Sequence, residues 1–260
     1  MSKDSIGKVL FVAVSLCVVC SVIVSALAVG LRDRQEINKQ LDKRRNVLIA
    51  AAIIGPDDDV DVQELFKSID ACVVNLATGE IASDIDPATF EQRVAAKDPE
   101  RSIEIPTKED LGHIKRRSKF AEAFIQRENG KLSCVVLPFH GKGLWSTMYG
   151  FVALESDLKT VRGLVFYQQG ETAGLGGEVE NPIWRGQWPG KVMYKDGEYK
   201  FDVLKGAVLP NDPAAQHKAD GISGATITVR GVDAMLRYWL GDSGFKPFLD
   251  KLAKKEPNDG

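Results

Sequence analysis

Between Asp220 and Val232 the chain reads DGISGATITVRGV. This sets three hydroxyl side chains, Ser223, Thr226 and Thr228, close to Gly221, Gly224 and Ala225. Val229, Val232, Met235, Leu236 and Trp239 follow on one helical face, so the hydroxyls stand where a helix begins. Serine or threonine at that place ordinarily caps the helix. The same terminus also presents free amide N–H groups and a partial positive charge, which suit a phosphate. The residues therefore describe either a capped turn or a phosphate seat in which a threonine hydroxyl could carry a phosphate-linked group.

Two other clusters could share a ligand with it. Gly141-Lys142-Gly143-Leu144-Trp145-Ser146 offers glycines for close backbone approach and a tryptophan as a flat contact. A plain loop with a packed tryptophan is its other reading. Glu171-Thr172-Ala173-Gly174-Leu175-Gly176-Gly177 follows an apolar stretch that ends near Gln168. It is not a dinucleotide fingerprint: Val179 stands where the third glycine belongs, and Pro182 and Gly186 interrupt any long helix after it. What remains is a loop of exposed backbone flanked by the polar Glu171 and Thr172.

The elements that must position these clusters are legible in part. Lys119–Ile125 and Leu132–Leu137, separated by Asn129-Gly130, predict a β-hairpin. Tyr149–Leu154 and Val161–Tyr167 predict two more buried strands, and short strands flank the turn at Asp196-Gly197. Helices are expected over Val229–Leu240 and Lys246–Lys254. Upstream, 35–54 is rich in helix formers and stops at Gly55-Pro56. Val62, Leu65, Phe66 and Ile69 continue at helical spacing. The acidic run 57–61 lacks the glycine and terminal glutamate of a calcium loop and reads as a solvated helix start. Short turns between strands imply a mainly antiparallel sheet flanked by helices, an α+β fold.

Val9–Leu31 carries no charge, and its 23 residues make about 34 Å of helix, enough to cross a hydrocarbon core. That length favours a retained anchor over a cleaved signal, although Ala26-Leu27-Ala28 resembles a processing site. The resulting divisions are an N-terminal flank at 1–8, a transmembrane helix at 9–31 and a helical connector with the start of the soluble domain at 32–100. The main α+β domain at 101–254 and a tail at 255–260 complete the chain. A formal net charge of −2 gives no reason to expect nucleic acid. The 3 histidines are scattered, and the one C-x-x-C pair, Cys17 and Cys20, lies inside the apolar stretch with no second pair to match it and reads as membrane packing, so no metal site is expected. Basic residues after the apolar stretch (Arg32, Arg34, Lys39, Lys43, Arg44, Arg45) outnumber Lys3 and Lys8 before it. Taken alone, that asymmetry puts the large C-terminal part in the cytoplasm.

The string Asp220 to Thr226 resembles the flavinylation motif of FMN-binding domains, in which the last threonine is esterified to FMN phosphate. The loop Glu171 to Gly176 and the segment Gly143 to Ser146 resemble the other signatures of that domain, in the same order. With its N-terminal anchor the whole chain is similar to the family of C-type subunits of bacterial sodium-translocating NADH:quinone oxidoreductases. Ala173 departs from the pattern, which has proline there; the loop loses rigidity but keeps its contacts.

The resemblance implies FMN held covalently at Thr226, with a flavinyltransferase using FAD as the maturation partner. It implies Ser223, Gly224, Ala225 and Thr228 around the phosphate, and Asp220 as part of the motif. Glu171, Thr172, Gly174, Leu175 and Gly176 would lie near the ring and ribityl chain, with Leu144, Trp145 and Ser146 opposite. It further implies an electron-carrying role among the other subunits of the complex, anchored by one pass in the bacterial inner membrane. The soluble domain would face the periplasm, against the charge count. The G-type flavoprotein of the related Rnf electron-transport complex, and a cofactor-free anchored scaffold, are the competing readings.

Overall fold

The structure, a computed structural model, describes residues 5–256. The first four residues, and all of the expected tail beyond Glu256, lie outside the described residues. The chain divides into two compact units, 1–44 and 45–260.

Helix α1 spans Ile6–Ala50. Every side chain from 9 to 31 is exposed, valines, leucines and Phe11 included. A stretch apolar on all sides, and long enough to cross a membrane, suits lipid as its solvent.

The second unit is built on a six-stranded sheet. Its strands are β1 (Ile69–Asn75), β2 (Glu80–Ile81), β3 (Phe120–Glu128), β4 (Lys131–Lys142), β5 (Thr147–Glu155) and β6 (Val161–Gln168). They lie in the order β2-β1-β3-β4-β5-β6, and every neighbouring pair is antiparallel. Asn129 and Gly130 turn the β3–β4 hairpin with φ of 54° and 78°, the left-handed pair that matches strand twist.

Both faces of the sheet are covered. Val135, Leu137 and Phe139 of β4 join Val152, Leu154, Leu164 and Phe166 in the larger core. Helices α3 (Thr226–Trp239) and α4 (Lys246–Lys255) close it with Val232, Leu236, Phe248 and Leu249. The alternate residues Cys134, Val136, Phe151, Ala153 and Val165 pack instead on Val47, Leu48, Ala50 and Ala51. The last turn of α1 lies so close that a Cβ on Gly163 would fall 2.4 Å from the Ala50 carbonyl oxygen.

The expected hairpin, the two following strands and both C-terminal helices are present, within an α+β fold. Asp61 caps the short helix α2 (Val62–Phe66) by accepting from the amides of Gln63 and Glu64. Ile69 departs from expectation: it opens β1 and pairs with Gln126 instead of extending α2. The i, i+3, i+4, i+7 spacing is real, but the β-branched run of β1 finds a sheet edge along β3, and pairing outweighs local periodicity.

Candidate functional site

Three segments distant in sequence meet at the start of α3. The first is the β4–β5 connection, 143–146; the second follows β6, 169–177; the third is 220–228. Glycines allow the approach. A Cβ on Gly231 in α3 would sit 2.3 Å from the Lys142 carbonyl oxygen, so only glycine lets the helix lie against the end of β4.

Glu171 ties the three segments together. One carboxylate oxygen accepts from the amides of Trp145 and Ser146, each at 3.0 Å, and from the Ser146 hydroxyl at 3.4 Å. The other accepts from the Leu144 amide at 3.0 Å and the Thr228 hydroxyl at 2.7 Å. The Ser146 hydroxyl accepts in turn from the Gly170 amide at 2.7 Å. Glu171 is buried. Burial pushes its carboxyl up, but the Thr228 hydroxyl and the three amides outweigh this and hold it below the usual carboxylate range. Gly143 and Gly176 frame the contact: added Cβ atoms would reach Glu171 Oε1 at 2.6 Å and Thr228 Oγ1 at 2.6 Å.

The side chains on the outer surface of this junction are of another kind. With the backbone of 144–146 turned inward, Leu144 is 42 % and Trp145 67 % exposed; Leu175 (43 %) and Ile227 (56 %) are similarly uncovered. A Cβ on Gly224, whose φ is +77°, would stand 2.9 Å from the Leu175 side chain, so Leu175 overlies the 220–226 loop. Thr172 and Gly174 lie in the exposed part of the second loop, and Gly176 is buried beneath it.

Thr226 is the first residue of α3 and is half-buried, whereas Thr228 is sealed inside. Ala225 stands at the cap position without a side-chain hydrogen bond, and the first turn holds no acidic residue. The N–H groups that a helix leaves unpaired at this end thus have no side-chain cap. Ser223 and Gly224 are exposed beside them, while Ala225 is buried.

Asp220 is engaged with other partners. Its carboxylate accepts from the Val208 amide at 2.7 Å, and its carbonyl accepts from the Trp184 indole at 2.9 Å. Gly221 passes the Leu204 carbonyl with no room for a Cβ, at 2.3 Å. Asp220 and Gly221 therefore fasten the start of the loop to the 203–208 segment.

Ile227 and Gly231 belong to the site but were not among the expected residues. A glycine inside an otherwise apolar-faced helix was the available signal for Gly231. Ile227 had none, since its neighbours on both sides are hydroxyl residues. Among the described residues, no group of three or more His, Cys, Asp or Glu converges as metal ligands would.

Comparison with known proteins points to the same region of the chain. A family model described as an FMN-binding domain matches residues 143–241, which contain all three segments. The chain is 44 % identical over 263 residues to the C-type subunit of the Na(+)-translocating NADH-quinone reductase of Yersinia pestis, covering 100 % of this chain and 97 % of the relative. It is 45 % identical over 259 residues to the corresponding protein of Vibrio alginolyticus, covering 99 % of each. A crystal structure of Shewanella oneidensis NqrC superposes with a TM-score of 0.76 at 40 % identity, over 84 % of this chain and 99 % of the other. The crystal structure of the counterpart from Parabacteroides distasonis does so at 0.64 and 30 % identity, over 84 % and 96 %. Full-length relatives at this identity decide the matter: the chain belongs to the family of C-type subunits of Na(+)-translocating NADH-quinone reductases.

Proposed function

We propose that this chain is the covalently flavinylated, electron-carrying component of a membrane-bound sodium-translocating NADH–quinone reductase, with FMN joined through its phosphate to Thr226. The observation that carries the reading is the uncapped start of α3, with a half-buried threonine hydroxyl at its first position and exposed apolar side chains around it. The residues fit the group. The N-terminal amides and helix dipole of α3 suit the phosphate. Leu144, Trp145 and Leu175 offer apolar surface for a planar ring. Of the two threonines, Thr226 is the acceptor because the hydroxyl of Thr228 is enclosed and already donates to Glu171.

Attachment is a transfer from FAD by a separate flavinyltransferase. The Thr226 oxygen forms the new bond to the FMN phosphorus, the pyrophosphate bond breaks, and AMP leaves with the threonine proton passed to base. The chain needs no catalytic group of its own for this; it presents the hydroxyl. FMN, when bound, supplies reversible one- and two-electron transfer. A covalent tether abolishes loss of the carrier by dilution. Ser223 and Gly224 would hold the phosphate, and Thr172 and Gly174 the remainder of the FMN, over the buried Gly176. The apolar stretch of α1 anchors the chain in the inner membrane as a single pass among the other subunits, with the second unit on the periplasmic side.

Co-expression with an active flavinyltransferase tests the attachment. The intact mass is expected to exceed the sequence mass by one FMN less one water, and Thr226→Ala to remove the increment entirely. An unmodified wild-type mass, or an increment that survives in Thr226→Ala and follows Thr228, overturns the assignment.

A further inference from the structure

The carboxylate at the centre of the site has no direction left in which to meet a ligand. Glu171 accepts from three consecutive amides, Leu144 to Ser146, and from two hydroxyls, Ser146 and Thr228, on two segments remote from its own. A carboxylate has about four lone-pair sites, so this set saturates it. The glycines around it have the same cause: a side chain at 143 or 176 would enter the carboxylate–threonine contact, whatever bound outside.

The loop consequence is specific. Three amides in succession turned toward one buried anion form a nest of N–H groups, an arrangement that orders a backbone strongly. Turning the backbone polarity inward leaves the side chains of Leu144 and Trp145 directed out, at 42 % and 67 % exposure. Without that internal anion the three amides would turn to water, and the loop would keep only the Lys142 ammonium donating to the Trp145 carbonyl at 2.9 Å and the Gly143 amide donating to the Ser146 carbonyl at 2.8 Å, neither of which engages an amide of 144–146. On the other side, the Thr228 contact pins the first turn of α3 and so sets the azimuth of Thr226, two residues earlier.

We propose that Glu171 is a positioning residue and not a ligand-contacting one: an internal clasp that assembles the 144–146 loop and the first turn of α3 into a receptive site before any flavin arrives. The labelling arm of its test rests on the attachment reading above; the exchange arm does not. Native-state amide hydrogen exchange on the full-length, unlabelled protein is the direct measurement. The amides of 144–146 are expected to be protected although they lie in a surface loop, and Glu171→Gln to lose that protection by about tenfold or more, with β4 and β5 unchanged. Thr228→Val, which removes one donor and keeps the packing volume, is expected to loosen the first turn of α3. Each variant should be labelled at Thr226 more slowly by the transferase, and the double variant no more slowly than the worse single one, since both break one link. Unaltered exchange at 144–146 in Glu171→Gln overturns the clasp, as does full additivity of the two labelling defects. Absence of label on the wild type would instead strike the attachment reading and leave the exchange result to judge the clasp alone.

Discussion

Gly176 is buried where the second loop turns inward, and the space a methyl group would need is already taken by the Thr228 hydroxyl at 2.6 Å and the Glu171 side chain at 2.9 Å. Gly176→Ala is therefore expected to destabilise the protein by about 1–3 kcal/mol, the usual cost of overpacking a closed site. It should also impair labelling of Thr226. Chemical denaturation and intact-mass measurement check the two effects, and a variant with wild-type stability and full labelling would show that the loop relaxes freely. At this scale the sequence was informative about chemistry and poor about direction. The hydroxyl–glycine string, the Glu171 loop and the Trp145 segment were all visible as residue types in order. That Glu171 turns inward to Thr228 and three amides, and that Asp220 belongs to a different contact at Val208, depends on distances between segments that no local pattern encodes.

Among the elements, α3 and β4 are the pair whose contact sets the site. Gly231 lets the helix backbone approach Lys142 directly, and a methyl group there would press on a main-chain carbonyl that cannot rotate away. Gly231→Ala would ordinarily favour a helix by about 1 kcal/mol; here the clash is expected to reverse the sign, giving a net loss of about 1–3 kcal/mol. A thermal melt decides it: a raised Tm would mean the helix shifts along the strand without penalty. The strands β4, β5 and β6 could be read in advance because both faces of the sheet are buried, which makes them nearly continuous apolar runs punctuated by turns such as Asn129-Gly130. β1 could not. Its Ile69 lies seven residues after Val62 and mimics one more helical turn, while its partner strand lies some fifty residues further along the chain.

For the molecule as a whole, the periplasmic placement proposed above and the charge distribution point to opposite sides of the membrane. Six basic residues between 32 and 45 favour a cytoplasmic C-terminal part, but acidic Asp33, Glu36 and Asp42 interleave them, and neighbouring subunits can fix topology in an assembly. The periplasmic reading predicts that alkaline phosphatase fused after Gly260 is active in cells, since that reporter matures only outside the reducing cytoplasm. An inactive phosphatase paired with a fluorescent cytoplasmic reporter at the same position would reverse the orientation and vindicate the charge count. The apolar span itself was legible from composition alone, as no charge falls between Val9 and Leu31. Its continuation as one helix to Ala50, where Val47 and Leu48 become core residues under the sheet, was not, because the segment 35–54 reads only as a separate connector.

The chain has 4 tryptophans, and their burial is sharply divided. Trp184, Trp188 and Trp239 are enclosed in the core, whereas Trp145 stands in solvent on the β4–β5 connection. The protein thus carries its own optical probe in the loop whose amides meet Glu171. A water-soluble quencher such as acrylamide would dim that single indole and leave the other three alight. Anything seated over that indole would shield it, so the steepness of an acrylamide titration distinguishes a covered Trp145 from a bare one with no tag or substitution.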